Sequence, residues 1–375
     1  MRIVHYISSL KENDLLSTYL KSLTQAMGGK ADITIVTSNK RKELLRQPLP
    51  DILHIHTCWD YTTARLAQRM GRRGTAIVLS PHGALDAYVL SHEQPTTKLL
   101  CRYLFQRAMI RHTDALVVTT EDERSELLSF QWQSRISIVK NALLDRHTTV
   151  ANMVDEMLHF YQKVIDTRYA VLMSKKEKEA IGLLVREGAT NDTFSQPIDT
   201  TQRHLIDSMN DAQWRRVLLY ADDEDVRDLV DRAISRLHLT IPPIDTDAID
   251  RFPNRHPKAV GLLAGTSNDS RLQRDTTDNE RSLRVICSML LSAQQHLKSG
   301  TLSMHHMADL YSHLKYDDYD EDRLREITSE LGIRRFTQAI VQLLVENLKL
   351  EEGFRPMQPH NGRTARRLRH LLEKT

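Results

Sequence analysis

Cysteine is scarce in this chain. There are three among 375 residues, Cys58, Cys101 and Cys287. An odd number at wide spacing excludes a disulfide scaffold and fits a cytoplasmic setting with reduced thiols. Long apolar runs are missing too: no stretch approaches the ~18 consecutive apolar residues that a membrane-spanning helix needs. The opening Met1-Arg2-Ile3-Val4-His5-Tyr6-Ile7 lacks the charged, apolar and small-residue regions of a signal peptide. Neither sign of charge is in large excess. A net charge of +3 is too weak to point to nucleic acid. It is uneven, however: residues 1–146 hold 20 Lys and Arg against 14 Asp and Glu, and the remainder 32 against 35. A mildly basic first part suits an anionic small molecule or a lipid surface, and equally an ordinary solvated surface.

What is present is the composition of a globular protein, 40% hydrophobic and 27% charged, long enough for two or three domains. Short β-branched runs recur at residues 2–7, 32–37, 52–56, 76–80, 115–119 and 135–139. Several are continuously apolar, as strands buried on both faces are. Helical stripes lie between them: Leu15, Leu16, Tyr19, Leu20 and Leu23; then Ala64, Leu66, Ala67 and Met70; then Leu99, Leu100, Tyr103, Leu104 and Met109. This alternation predicts an α/β, Rossmann-like doubly wound parallel sheet over residues 1–146. Ligands of such sheets bind beyond the carboxyl ends of the strands.

After Asn141 the period becomes helical, with Val150, Met153, Val154, Met157, Leu158, Tyr161 and Val164 on one stripe. Ser174-Lys175-Lys176-Glu177 reads as a capping box. The expected organisation is a helical region over 147–240, a polar, Pro-containing linker over 241–279, and a helical C-terminal region over 280–375. The tail around Leu368, Leu371 and Leu372, with Arg363, Arg366, Arg367 and Arg369, is a short basic amphipathic helix. It suits a surface, a docked position on the first domain, or an anionic membrane face.

Four strand ends bear on function. In Ile7-Ser8-Ser9-Leu10-Lys11-Glu12-Asn13 no glycine lets backbone N–H groups approach a phosphate, although Ser8 and Ser9 retain donors and Asn13 or Asp14 can cap the next helix. In Asp51-Ile52-Leu53-His54-Ile55-His56-Thr57-Cys58-Trp59, His54, His56 and Cys58 share a face if the strand runs that far. No fourth ligand lies nearby, and no metal is expected. His56 is placed at the crevice floor with Trp59 beside it. In Ser80-Pro81-His82-Gly83-Ala84-Leu85-Asp86, a histidine sits at a strand's carboxyl end between Pro and Gly, where its imidazole can meet a sugar hydroxyl. In Val139-Lys140-Asn141-Ala142, Lys140 could meet an anion or be a plain surface lysine.

These segments resemble the N-terminal domain of the family 4 glycosyltransferases, which have the GT-B architecture. Ile3-Val4-His5-Tyr6-Ile7-Ser8-Ser9-Leu10, Pro50-Asp51-Ile52-Leu53-His54-Ile55-His56, Ser80-Pro81-His82-Gly83-Ala84-Leu85-Asp86 and Thr113-Asp114-Ala115-Leu116-Val117-Val118 occur in that family's order and spacing. The resemblance implies a single GT-B half, the acceptor side of a cleft, with the histidine matching His82 near the donor sugar or its diphosphate. The strand ends and this resemblance together give a candidate substrate-binding set of Ser9, His56, Trp59, His82, Gly83 and Asp86; no catalytic residue is assigned. It also implies metal-independent transfer from a nucleotide sugar, with no cofactor, to a carbohydrate or lipid-linked acceptor in envelope or capsular polysaccharide assembly.

The departures are plain. The family's glycine pair after the first strand is Lys11-Glu12-Asn13 here, its closing Pro-Asn-Gly-Val is Lys140-Asn141-Ala142-Leu143, and its donor domain has no counterpart in the sequence. Glu179 and Glu187 echo a donor-side pair of glutamates, but they fall in what reads as one charged helix. Two functions therefore stand: a glycosyltransferase whose helical half covers the donor side, and a non-catalytic sugar- or protein-binding module. The helical half is then the surface for a protein partner, and peripheral contact with the inner membrane face is compatible with either.

Overall fold

The computed structural model describes residues 1–12, 14–86, 89, 92, 95–190, 198–253 and 278–372. The chain divides into two compact units, one of residues 1–168 with 250–253, the other of residues 169–249 and 254–375.

The first unit is built on six parallel strands: β1 (Arg2–Ile7), β2 (Asp32–Thr37), β3 (Ile52–Ile55), β4 (Ala76–Leu79), β5 (Ala115–Val118) and β6 (Ile136–Ile138). Their order is β2-β1-β3-β4-β5-β6. Strands β3, β4 and β5 are buried along their whole length, which is why they read as unbroken apolar runs.

Topology decides which helix covers which face. From β3 onward each crossover steps in the same direction. Right-handedness therefore puts α3 (Tyr61–Arg72), α4 (Pro95–Cys101, a π-helical stretch Arg102–Gln106, and Arg107–His112) and α5 (Glu121–Ser129) on one face. There Ala64, Leu66, Ala67, Met70, Met109, Ile110 and Leu127 meet Val4, Tyr6, Leu53, Ile55, Ile77 and Leu79. The short α2 (Arg41–Leu44) adds Leu44 to this side. The step from β1 to β2 runs the other way, which leaves the opposite face to α1 (Leu15–Met27) alone.

One helix cannot cover that face, and α6 (Val150–Asp166) completes it. Met153, Val154, Met157, Phe160, Tyr161 and Val164 pack with Tyr19, Leu20 and Leu23 of α1 against Ile3, Ile7, Ile52, Ala76 and Val78. The expected boundary at residue 146 is therefore too early. The end of α6 is tied down as well: Arg168 pairs with Asp114 at 2.9 Å and donates to the carbonyls of Gly74 and Thr75. Part of the expected linker also belongs here. Phe252 lies under the Arg135 guanidinium (4.5 Å) and the Lys163 ammonium (4.8 Å), and Asp250 accepts from His159 and pairs with Lys163. Residues 254–277 of that linker lie outside the described residues.

The third helical stripe proves to be no core stripe. In α4, Leu99, Leu100, Tyr103 and Leu104 are exposed and Met109 is buried. The π-helical stretch, Arg102–Gln106, contains Tyr103 and Leu104 and breaks the 3.6-residue register ahead of Met109, so one continuous stripe cannot face the sheet.

The second unit is helical among the described residues and has one shared core rather than separate lobes. It comprises α7 (Tyr169–Leu172), α8 (Lys175–Ala189), α9 (Thr200–Asp207), α10 (Asp211–Asp223), α11 (Arg227–Arg236), α12 (Asp278–Ser299), α13 (Met304–Tyr316), α14 (Glu321–Glu330), α15 (Arg334–Leu348) and α16 (Arg363–Leu372). At its centre α8 starts from the expected capping box at Ser174 and is buried on every side from Ala180 to Gly188. Two glycines make this possible. A Cβ on Gly182 would stand 2.1 Å from the Asn347 carbonyl oxygen, and one on Gly188 would stand 1.9 Å from that of Leu229. The basic tail helix α16 buries Ala365, Leu368 and Leu372 in this same core. Its apolar stripe is thus used within the second unit. No helix among the described residues is long and apolar enough to cross a membrane.

Candidate functional site

The side-chain alternation of a strand carries His5 of β1, His54 at the middle of β3 and His56 just beyond it to the face covered by α1 and α6, among Ile3, Ile7 and Ile52. His5 and His54 are direct neighbours in the parallel register. Both are fully buried. Polar groups in an apolar layer need partners, and these find them in one another. His5 Nδ1 lies 2.9 Å from His56 Nε2, and His56 Nδ1 lies 2.8 Å from His82 Nε2. His54 is held separately, with Tyr161 Oη 2.6 Å from its Nδ1 and Ser80 Oγ 2.7 Å from its Nε2. Tyr19 of α1 stands edge-on to the His82 ring.

His82 is placed by the turn that ends β4. The Ala84 N–H donates to the Pro81 carbonyl at 3.0 Å, and the two central residues, His82 and Gly83, have φ of 51° and 75°. Positive φ at both centres marks a type I′ turn, in which Gly is at ease and His is strained. The surroundings hold that strain in place. Gly83 N–H donates to Glu123 Oε1 at 2.9 Å, and Glu123 Oε2 takes the Thr119 N–H of the next loop. Trp59, itself at φ 63°, donates its indole N–H to the Ala84 carbonyl and its backbone N–H to Gln106 Oε1. Ser8 N–H reaches Thr57 Oγ1, which ties the loop after β1 to the loop after β3.

Burial pushes every ring of the group toward the neutral form. His5 falls to about 3 and His82 to about 4, and His54 and His56 fall well below their ordinary value as burial and neighbouring histidines add up. Cys58 is pushed up to about 12 by burial and by Glu123, which makes it a poor nucleophile.

Of the expected site residues, His56, His82, Gly83 and Trp59 are brought together through these bonds. Ser9 is exposed and makes no hydrogen bond among the described residues; its neighbour Ser8 makes the cross-loop contact instead. Asp86 is exposed past the turn, its N–H on the Gly83 carbonyl. The grouping of His54 and His56 with Cys58 does not occur, because β3 stops at Ile55 and Cys58 packs with the opposite face. The third member is His5. Nitrogens of His5, His54 and His56 lie within 4.8 Å of one another, close enough to share an ion. Both nitrogens of His54 and of His56 already have hydrogen-bond partners, whereas His5 Nε2 is buried without one. His5 and Tyr161 were missed in the sequence. The one available signal was a histidine within each of two strands expected to be buried.

The N-termini of α1, α3 and α5 at this end of the sheet, of the kind that are natural anion sites, are filled by the protein's own oxygens. Asp14 caps α1, Asp60 caps α3, and Thr120 caps α5, whose first turn carries Glu121, Asp122 and Glu123. Lys140 pairs with Asp145 at 3.3 Å. On the helical side, Glu187 is buried against Arg186, whereas Glu179 is half-exposed near Lys349, so the two glutamates do not act as a matched pair.

A doubly wound parallel sheet whose polar side chains gather beyond the carboxyl ends of its central strands is the build of a small-ligand-handling α/β domain. Residues 33–143 match the model of Glycosyltransferase Family 4, and the first unit contains the N-terminal type of domain of that family. No curated protein and no solved structure matches the chain.

Proposed function

We propose that the chain is a sugar-transferring protein that uses its first unit as the acceptor-side half of a glycosyltransferase, with a nucleotide sugar as co-substrate and no metal or cofactor. The carrying observation is His82, held in a strained turn at the end of β4 and hydrogen-bonded to His56, inside a family 4 domain. A neutral imidazole there suits a sugar hydroxyl or a phosphate oxygen. The acceptor is a carbohydrate or lipid-linked carbohydrate of envelope or capsular polysaccharide assembly.

Calorimetry with UDP- and GDP-sugars tests this. Binding is expected in the wild type and a loss of about tenfold or more in His82→Asn, a residue that tolerates the left-handed backbone. Absence of binding to every sugar nucleotide would reject the enzymatic reading.

A second reading, a non-catalytic sugar- or protein-binding module, is favoured by a specific observation. The helix N-termini of α1, α3 and α5 are already capped, and Lys140 is engaged by Asp145. None of these four groups stands ready to grip a pyrophosphate. The helical half is then the docking surface for a protein partner.

For contact with the inner membrane face, the outward Leu99, Leu100, Tyr103 and Leu104 of α4, beside Arg102 and Arg107, are a better candidate than the tail.

A further inference from the structure

We infer that His5, His56 and His82 form a chain of hydrogen bonds with one direction, which fixes His82 as the tautomer bearing its proton on Nδ1 and makes His5, buried in the sheet, a positioning residue for the ligand-facing nitrogen. This deepens the reading above and rests on it for the role of His82 toward a ligand.

Each of the two N···N contacts, at 2.8 and 2.9 Å, holds one proton between two lone pairs. Three neutral rings carry three N–H groups, so one is left over, and it sits at one end of the chain. At the inner end that place is His5 Nε2, which is buried and has no partner. At the outer end it is His82 Nδ1, on a half-buried residue where water or a ligand is at hand. A buried N–H without an acceptor is the rarer and costlier defect, so the inner nitrogen keeps a lone pair and the spare proton goes outward. His5 then donates from Nδ1 to His56, and His56 donates from Nδ1 to His82. The ring planes of both pairs lie within 17° and 22° of parallel, so the nitrogens meet edge to edge. His54 does not interfere, because its partners are two hydroxyls that serve either tautomer. The neutral state of all three rings, which the count requires, is the one burial favours.

His82 accordingly offers a fixed N–H to an oxygen acceptor, either a phosphate oxygen or a sugar hydroxyl. An imidazole free to exchange tautomers would offer that donor only part of the time.

The test uses the full chain labelled with ¹⁵N-histidine, in long-range ¹H–¹⁵N spectra near neutral pH. The expected result without ligand is Nδ1–H in His5, His56 and His82. His5→Leu removes the first donor and should move the His82 signals to a two-tautomer average, with about tenfold weaker binding of the ligand. His5→Asn places an amide N–H near the lost Nδ1–H and should restore both. The probes are UDP-glucose, which carries phosphate oxygens, and methyl glucoside, which carries only sugar oxygens; the one that responds to His5→Leu names the acceptor. Nε2–H at His82 in the wild type would overturn the inference, as would an unchanged His82 in a folded His5→Leu protein. So would imidazole signals that shift on adding EDTA, since a shared metal would then replace the proton chain. Should His5→Leu fail to fold, the wild-type spectrum alone decides. If neither probe binds, the proposed function fails while the tautomer assignment stands on the ligand-free spectra.

Discussion

At the scale of single residues, the buried histidines make the first unit sensitive to acid. Folding holds His82 near 4 and His5 near 3, with His54 and His56 also well below the ordinary value of 6.5. The sign follows from proton uptake. Between pH 6.5 and 4 the unfolded chain binds protons that the folded one refuses. The stability is complete above about pH 6.5 and is lost as pH falls through that interval. Thermal unfolding followed by circular dichroism should show a midpoint that drops steeply from pH 7 to pH 4.5, and the drop should be shallower in His82→Asn. A midpoint flat between pH 7 and 5 would mean that these rings are not held neutral.

At the scale of elements, three packing arrangements make different demands. The centre of the second unit depends on the missing side chains of α8. Gly182→Ala and Gly188→Ala each drive a methyl group into a backbone carbonyl on a neighbouring helix, and neither carbonyl can swing aside as a side chain would. Each should cost about 3 kcal/mol or more, read as a lower urea midpoint. Gly353→Ala, where a Cβ meets nothing within 4 Å, serves as the control and should change little.

In the first unit the pressing element is α6. A fragment ending at residue 146 leaves the sheet face around Ile52, Ala76 and Val78 covered by α1 alone. It should be insoluble when expressed, whereas residues 1–168 should yield folded, monodisperse material by gel filtration; equal solubility of the two would contradict this role for α6.

The outward face of α4 makes the opposite demand, since its leucines find no cover within the described chain. Flotation with vesicles containing anionic lipid should carry the protein upward, and L100E with L104E should abolish it. Failure of the wild type to float would remove the membrane proposal.

At the scale of the whole molecule, some features were legible in sequence and others not, for physical reasons. The six strands could be read because β-branched residues in short runs signal strands whether or not their neighbours are known. His82 could be read because a histidine between Pro and Gly after such a run marks a strand end. The box at Ser174 is a set of local bonds between residues three apart and was equally visible, and the same local logic narrowed the cap of α1 to Asn13 or Asp14, of which Asp14 accepts the bond. What escaped depends on long-range geometry. The helical period of Val150 to Val164 says that the segment is a helix, but only the sheet's topology says which face it must cover. The α4 stripe was misread because a π-helical stretch leaves no mark in the pattern of apolar residues. His5 was passed over because its meaning comes from His54 and His56, some fifty positions away and adjacent only once β1 and β3 pair.

The chain leaves the first unit after Arg168, returns to lodge Phe252 beneath two cations, and departs again. A single cut between residues 168 and 169 would therefore not free the helical unit outright. The piece beyond the cut would still hold residues 250–253 of the first unit, with Phe252 seated under Arg135 and Lys163 as a strand of chain that the sheet domain keeps for itself.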